Sequence, residues 1–356
     1  MLNQKYLRVY KIIILFLYTL NLKAQDPIFS QFIANPLYLN PAYAGVGEGM
    51  TVNGHYRSQW ANINSGFRTY SASWCSREPK LGGGIGMTLL RDVSPNEIIV
   101  SNQINFLYTY NIVDPNELFS IHTGLKTGFA NKQLNWNGLV FSDQLDPVLG
   151  LQFPTAVAKP IFDQSTYWNF AAGIIGRFGL PFKGNIADNE VGLSINNLNR
   201  PIESLQSIGT RLPIRWSIHY LTTFPIVQFG SLKRYYLFLT PMLKYENQKN
   251  IMVTTFGLYA ATSNITLGMM YQNKNIPFIK KHTNAWIINA GFKWNDENPF
   301  QVGLSYDINT SGLNTLSGGI FEISLNYTIS KARIWGESKH NNPLKCYRFM
   351  NNSYFL

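Results

Sequence analysis

From residue 49 onward the chain writes apolar and polar side chains in alternation, and a period of two constrains its fold more than any other feature. A strand turns successive side chains to opposite faces, whereas a helix returns to the same face every 3.6 residues. In the stretch from Phe321 to Ile329 the apolar set is Phe321, Ile323, Leu325, Tyr327 and Ile329, opposite Glu322, Ser324, Asn326 and Thr328. From Gln301 to Ile308 the apolar set is Val302, Leu304, Tyr306 and Ile308, opposite Gln301, Gly303, Ser305 and Asp307. Neither stretch makes an amphipathic helix.

The same pattern recurs often enough to predict about 14 antiparallel strands, over 49–60, 68–76, 82–91, 98–112, 118–130, 167–179, 190–198, 214–224, 235–245, 250–261, 265–272, 285–294, 300–308 and 320–329. Most have about the 9–11 residues that a tilted strand needs to cross a bilayer. No helix-period segment interrupts the series. An all-β chain with so many strands has to close or stack to remove its sheet edges.

A soluble sandwich would also alternate, so the polar face has to discriminate. A water-exposed sheet carries many Lys and Glu, but here that face is rich in Ser, Thr, Asn, Gln and Gly. Only 14% of the chain is charged, against about 25% in soluble domains. Aromatic residues at strand ends, such as Trp60, Phe129, Phe224, Trp286, Trp294 and Phe300, fit the girdles of an outer-membrane barrel. Loop length agrees. With a periplasmic N-terminus the odd-to-even connections face outward and should be long, and the two longest, near 131–166 and 199–213, are of that kind. Polytopic helices are excluded, because the longest apolar-rich run, Ile12 to Leu22, falls short of the roughly 18 residues a helical span requires. Cys75 and Cys346 are too few for a disulfide framework or a four-thiolate zinc site.

That N-terminal run follows Lys5, Arg8 and Lys11 and gives way to Lys23-Ala24, which reads as a cleaved secretory signal peptide over 1–24; an uncleaved anchor is the competing reading. Its removal takes four of 30 basic residues and none of the 19 acidic ones, so the net charge falls from +11 to +7. The expected layout is a signal peptide (1–24), a plug or lid segment (25–48), a transmembrane barrel (49–329) and a C-terminal periplasmic tail (330–356). The basic charge can meet lipid phosphate, an anionic solute or an acidic partner, and no folded nucleic-acid motif is present.

Residues 25–45 do not alternate. They hold two Asn-Pro steps, Asn35-Pro36 and Asn40-Pro41, which break regular structure and fix local turns. With Phe29, Phe32, Leu37, Tyr38, Leu39 and Tyr43, the segment is too apolar to float free. It is expected to pack within the barrel or across its periplasmic mouth.

This segment resembles the N-terminal signature of the PorP/SprF family, outer-membrane proteins of the Bacteroidetes type IX secretion and gliding-motility systems. The words that carry the likeness include Asp26, Pro27, Phe29, Gln31, Asn35, Pro36, Asn40, Pro41, Ala42 and Gly45. Later stretches agree in order: His55 to Trp60, Gly82 to Gly86, Val140 to Pro147, Ser305 to Asp307, and Gly318 to Tyr327. The family tail usually carries a Cys-Pro step, and here Tyr347 follows Cys346. The resemblance implies an accessory that works with the type IX machinery and with a large secreted surface protein or adhesin bearing a C-terminal sorting domain. Export and surface attachment of that partner is the implied role. Chemistry and cofactors are not.

Sites that invite other readings are few. Gly82 to Gly86 resembles a phosphate loop, but no helix pattern follows it, so a glycine-rich strand that bends or admits a plug backbone is favoured. Asp143, Asp146 and Asp163 sit in or beside the longest loop at no EF-hand spacing. No His-Glu-x-x-His pair and no Gly-x-Ser-x-Gly elbow is present. Parity places His55, Arg57, Lys126, Arg177, Arg215 and Lys293 on the polar face with Asp307 and Glu322. They read either as an anion-attracting lumen or docking surface, or as internal neutralisation in which Arg57 or Arg215 pairs with Asp307 or Glu322. Two functions stay open: a secretion and surface-assembly component, or a diffusion porin or hydrophobic-solute channel.

Overall fold

The computed structural model describes residues 26–47, 49–62, 65–114, 119–203, 211–229, 235–275, 283–295, 297–310 and 318–335. The signal-peptide reading and the tail beyond residue 335 lie outside them, as does Cys346, while Cys75 is a free thiol. Strand formation follows the alternation. On β4 (Ile99–Val113) Ile104, Phe106, Tyr108, Tyr110 and Ile112 are exposed, while Asn105, Leu107, Thr109 and Asn111 are buried. The sheet thus hides its polar face and shows its apolar one, the inverse of a water-soluble sheet.

The series opens with β1 (Met50–Gln59), β2 (Phe67–Glu78) and β3 (Gly83–Val93), then β4 and β5 (Phe119–Leu134). A two-stranded ribbon, β6 (Leu145–Asp146) with β7 (Gly150–Leu151), lies in the connection that follows. The barrel resumes with β8 (Gln164–Phe182), β9 (Asn185–Asn196), β10 (Arg215–Phe229), β11 (Tyr235–Gln248) and β12 (Ile251–Ala261). It ends with β13 (Ile265–Asn275), β14 (Thr283–Trp294), β15 (Phe300–Asn309) and β16 (Ile320–Ile329). All but β6 and β7 form one closed barrel of fourteen antiparallel strands, each beside its sequence neighbour. The first and last strands close it in unbroken register from Met50↔Ile329 to Gln59↔Ile320, which leaves no sheet edge.

Several strands outrun the alternation that announces them. β5 continues through Asn131–Leu134 because Asn131–Gln133 pair with Gln164–Thr166 and the Leu134 N–H donates to the Asp163 carbonyl, so the strand is held by its backbone where the alternation has lapsed. The longest connection is therefore 135–163 and the next 197–214, both at one end of the barrel. The opposite end carries short turns such as Lys183-Gly184, where both residues have positive φ (46° and 77°), as a two-residue hairpin turn requires. The chain enters β1 and leaves β16 at that short-turn end.

Candidate functional site

Residues 26–47 make the most distinctive contacts in the molecule. Each Asn-Pro step does local work. Pro36 begins a single-turn helix, α1 (Pro36–Leu39), where the missing N–H costs nothing. Asn40 then starts a 3-10 turn, Pro41–Tyr43, accepting a hydrogen bond from the Ala42 N–H at 3.0 Å through its side chain. The two turns fold an otherwise extended segment so that its side chains meet inward-pointing groups on many strands.

One group of contacts lies at the closing seam. The Glu322 carboxylate on β16 accepts the backbone N–H groups of Ser30 (2.8 Å) and Gln31 (2.9 Å). Arg57 on β1 pairs with it at 3.0 Å and His55 Nε2 lies 3.2 Å away. Gln31 donates to Ser305 Oγ and to the Glu322 carbonyl, both at 3.1 Å, and accepts from Ser324 Oγ at 2.7 Å. The Ser30 hydroxyl donates to Asp307, and Phe29 meets the His55 ring edge-on. Sheet residues and segment residues here are all buried.

A second group surrounds Arg215, the first residue of β10. Its guanidinium donates to the Tyr38 hydroxyl at 2.7 Å, stacks over that ring at 4.7 Å, and lies 3.6 Å from both Asp26 and Glu246. Tyr38 in turn donates to the Pro27 carbonyl. Lys244 pairs with Glu246 at 3.1 Å and lies over the Phe32 ring at 4.9 Å. In a third group, Glu190 on β9 receives Arg177 at 2.5 Å and the Tyr43 hydroxyl, while Tyr43 stacks on His219.

Between these groups the backbone of the segment is held by neutral partners. Asn40 Nδ2 donates to the carbonyls of Ile174 and Leu193, both at 3.1 Å, and Ser194 Oγ donates to the Leu39 carbonyl at 2.8 Å. Thr109 donates to the Pro41 carbonyl at 3.0 Å, and Asn35 donates to Ser71 at 3.1 Å. Close approach needs glycine on the wall. A Cβ on Gly84 would collide with the backbone of Ala44 and Gly45, and one on Gly124 with that of Pro41 and Ala42. Gly82 to Gly86 is thus a strand start that admits another backbone. Inward apolar side chains also have a reason to exist: Met242, Tyr259, Met270 and Ile287 form one buried cluster with Phe32 and Leu39.

The anticipated residues distribute unevenly over these contacts. His55, Arg57, Asp307 and Glu322 converge with Phe29 and Gln31. Arg215 joins Asp26, and Arg177 joins Tyr43 through Glu190. Lys126 donates instead to Asn196 at 2.7 Å, and Lys293 stands near the short-turn end of β14, its backbone bracketed by Asn264. Glu190, Lys244, Glu246 and His219 escaped the sequence reading, although each has the parity of an inward neighbour, such as Ser194 for Glu190 or Met242 for Lys244 and Glu246. Arg57 pairs with Glu322, whereas Arg215 meets neither Asp307 nor Glu322 and lies instead between Asp26 and Glu246.

The long connection is folded on itself. Asp143 accepts from the Thr155 hydroxyl and the Ala156 N–H, and Asp146 accepts from the N–H groups of Val148 and Leu149 at 2.8 and 2.9 Å. These backbone donors hold both carboxyls below the ordinary carboxylate range. Among the described residues no three His, Cys, Asp or Glu side chains group in a way that would hold a metal ion.

Solved structures similar to the chain include the outer membrane protein Omp33 of Acinetobacter baumannii, at 8% identity and a TM-score of 0.36, covering 80% of this chain and 98% of that one. The β domain of the Bordetella autotransporter BrkA matches at 10% identity and 0.34, covering 80% and 99%. The transport unit of the Escherichia coli autotransporter AIDA-I matches at 10% and 0.36, covering 86% and 99%. No protein of curated function matches the chain. The model of the type IX secretion system membrane protein PorP/SprF family matches residues 21–327, which takes in the segment 26–47 and nearly the whole barrel. The chain accordingly belongs to the PorP/SprF family, and it is an outer-membrane β-barrel component of the type IX secretion system.

Proposed function

We propose that the protein is a plugged barrel that acts as a docking component for the type IX machinery, assisting export and surface attachment of one large secreted protein with a C-terminal sorting domain. Residues 26–47 serve as the plug. The observation that carries this reading is the anchoring of the segment to opposite sides of the wall at once, by Glu322 on β16, Ser194 on β9 and Thr109 on β4. A lumen filled in this way, with its wall charges spent on Asp26, Glu190, Glu246 and Glu322, is ill suited to diffusion of solutes. Partner recognition then falls to surfaces at the two ends of the barrel.

The export signal over 1–24 is cleaved in this scheme, and the long connections 135–163 and 197–214 face the cell exterior, with the short turns in the periplasm. The chain beyond β16 stays periplasmic. It is steered there by Glu78, whose carboxylate accepts from the N–H groups of Ile334 at 2.8 Å and Trp335 at 3.2 Å. Deleting the gene should abolish surface display of one large secreted protein and leave uptake of small solutes intact. Normal secretion with altered uptake would reject the proposal in favour of a porin.

A further inference from the structure

The two ends of the segment 26–47 lie at opposite ends of the barrel. Gly45 packs against Gly84, the second residue of β3, and its carbonyl accepts from Asn111 near the end of β4, both at the short-turn end. Asp26 lies at the other end. Its N–H donates to Gln248, the last residue of β11, and its carboxylate accepts from Asn197, just beyond β9, at 3.1 Å, and from Gln248 at 3.3 Å. Arg215, at 3.6 Å, is the first residue of β10. All of these belong to the end that bears the connections 197–214 and 249–250.

The segment 26–47 therefore runs the length of the lumen. The wall beside Asp26 is closed, since Arg215 pairs with Asn196 on one side and with Gln248 on the other. Below Asp26, Tyr38 packs on Arg215 and on the Phe29 ring, and Phe32 on Lys244 and the inner apolar cluster. We infer that the chain leaves Asp26 at the long-connection mouth, so that the mature amino terminus is displayed on the outer face of the barrel.

The inference rests on the plug reading and, for the word outer, on the assignment of the long connections to the exterior. An epitope inserted between Gln25 and Asp26 of the full chain tests it, compared with the same epitope in the turn 94–98 at the long-connection end and in the turn 262–264 at the other. Antibody staining of intact cells should report the N-terminal epitope together with that at 94–98, and staining at 262–264 should need permeabilised cells. Staining of the N-terminal epitope only in company with 262–264 overturns the inference. If 94–98 and 262–264 exchange behaviour, the orientation is wrong, while the N-terminal epitope still decides by the turn it follows. Should the insertion fail to give a heat-modifiable folded band, the Gln25→Ser protein, whose terminal amine cannot cyclise as that of a terminal glutamine does, is labelled on intact cells with a membrane-impermeant amine reagent. Mass-shifted N-terminal peptide supports the inference, and loss of that shift until lysis overturns it.

Discussion

Arg57 on β1 and Glu322 on β16 stand directly opposite in the strand pair that closes the barrel, 3.0 Å apart and both buried. The carboxylate is shared, because it also takes the N–H groups of Ser30 and Gln31. One side chain thus ties the first strand, the last strand and the N-terminal segment together.

Removing that carboxylate should cost far more than its charge. In Glu322→Ala a buried guanidinium loses its counter-ion and two backbone donors lose their acceptor, an expected loss of about 3–5 kcal/mol. The paired replacement Arg57→Met with Glu322→Leu should cost less, since no charge is left stranded. Denaturant midpoints of the heat-modifiable folded form give the comparison. If Glu322→Ala unfolds at the parent's midpoint, the shared carboxylate is not holding the seam.

Gly84 supplies a separate test of how the segment is seated. A side chain there has to displace the backbone of Ala44 and Gly45, and Gly45 itself has φ of +74°, which other residues adopt only under strain. Gly84→Val should destabilise the packed segment by about 1–3 kcal/mol, the usual cost of overpacking. Limited proteolysis should then cut within 26–47 while the barrel stays folded. Gly176→Ala is the control, because nothing lies within 4 Å of a Cβ at that position. Equal protease resistance in all three proteins would count against a seated segment.

The sequence announces strands and faces well and the inner contacts poorly, for a physical reason. Parity says which way a residue such as Arg215 or Glu322 points, and lipid on one side of the wall makes that parity strict. It says nothing of what stands across the lumen. Glu322 meets Ser30 over a sequence separation of 292, a distance set by closure of the whole barrel. Arg215 could have met any inward carboxylate, and it meets Asp26 and Glu246 because they share its end of the barrel. Met270 and Ile287 point inward against the polar rule because Phe32 and Leu39 fill the space beside them. Asn35-Pro36 and Asn40-Pro41 were legible as turns because proline acts locally.

The connection 135–163 should open in acid. Asp143 and Asp146 have carboxyl pKa values held below their unfolded values by backbone donors, those of Ala156 for Asp143 and of Leu149 and Val148 for Asp146. A depressed acid stabilises the folded form above its unfolded pKa, about 3.9 for Asp, and loses that contribution as pH falls through the lower folded value. Amide exchange at Val148, Leu149 and Ala156 should accelerate below about pH 4, beyond its intrinsic pH dependence. Asp143→Asn should speed exchange at Ala156 at neutral pH and leave Val148 unchanged. Protection that is flat with pH would show that these carboxylates do not order the loop.

Leu125 and Lys126 are adjacent on β5 and point to opposite faces, the leucine 64% exposed and the lysine buried. In water an exposed leucine is an ordinary surface position, where substitution changes stability by no more than about 0.5 kcal/mol. In lipid, arginine at mid-strand costs about 2–4 kcal/mol. Leu125→Arg should therefore lower folding stability in phospholipid vesicles by an amount in that range. Leu125→Phe should leave it nearly unchanged, because an aromatic ring is as acceptable to hydrocarbon as leucine. The measurement is equilibrium urea unfolding of the refolded chain, followed by tryptophan fluorescence and by loss of the heat-modifiable band. A neutral arginine would mean that the apolar face meets water or protein, and the barrel would then need another explanation for its inverted surface.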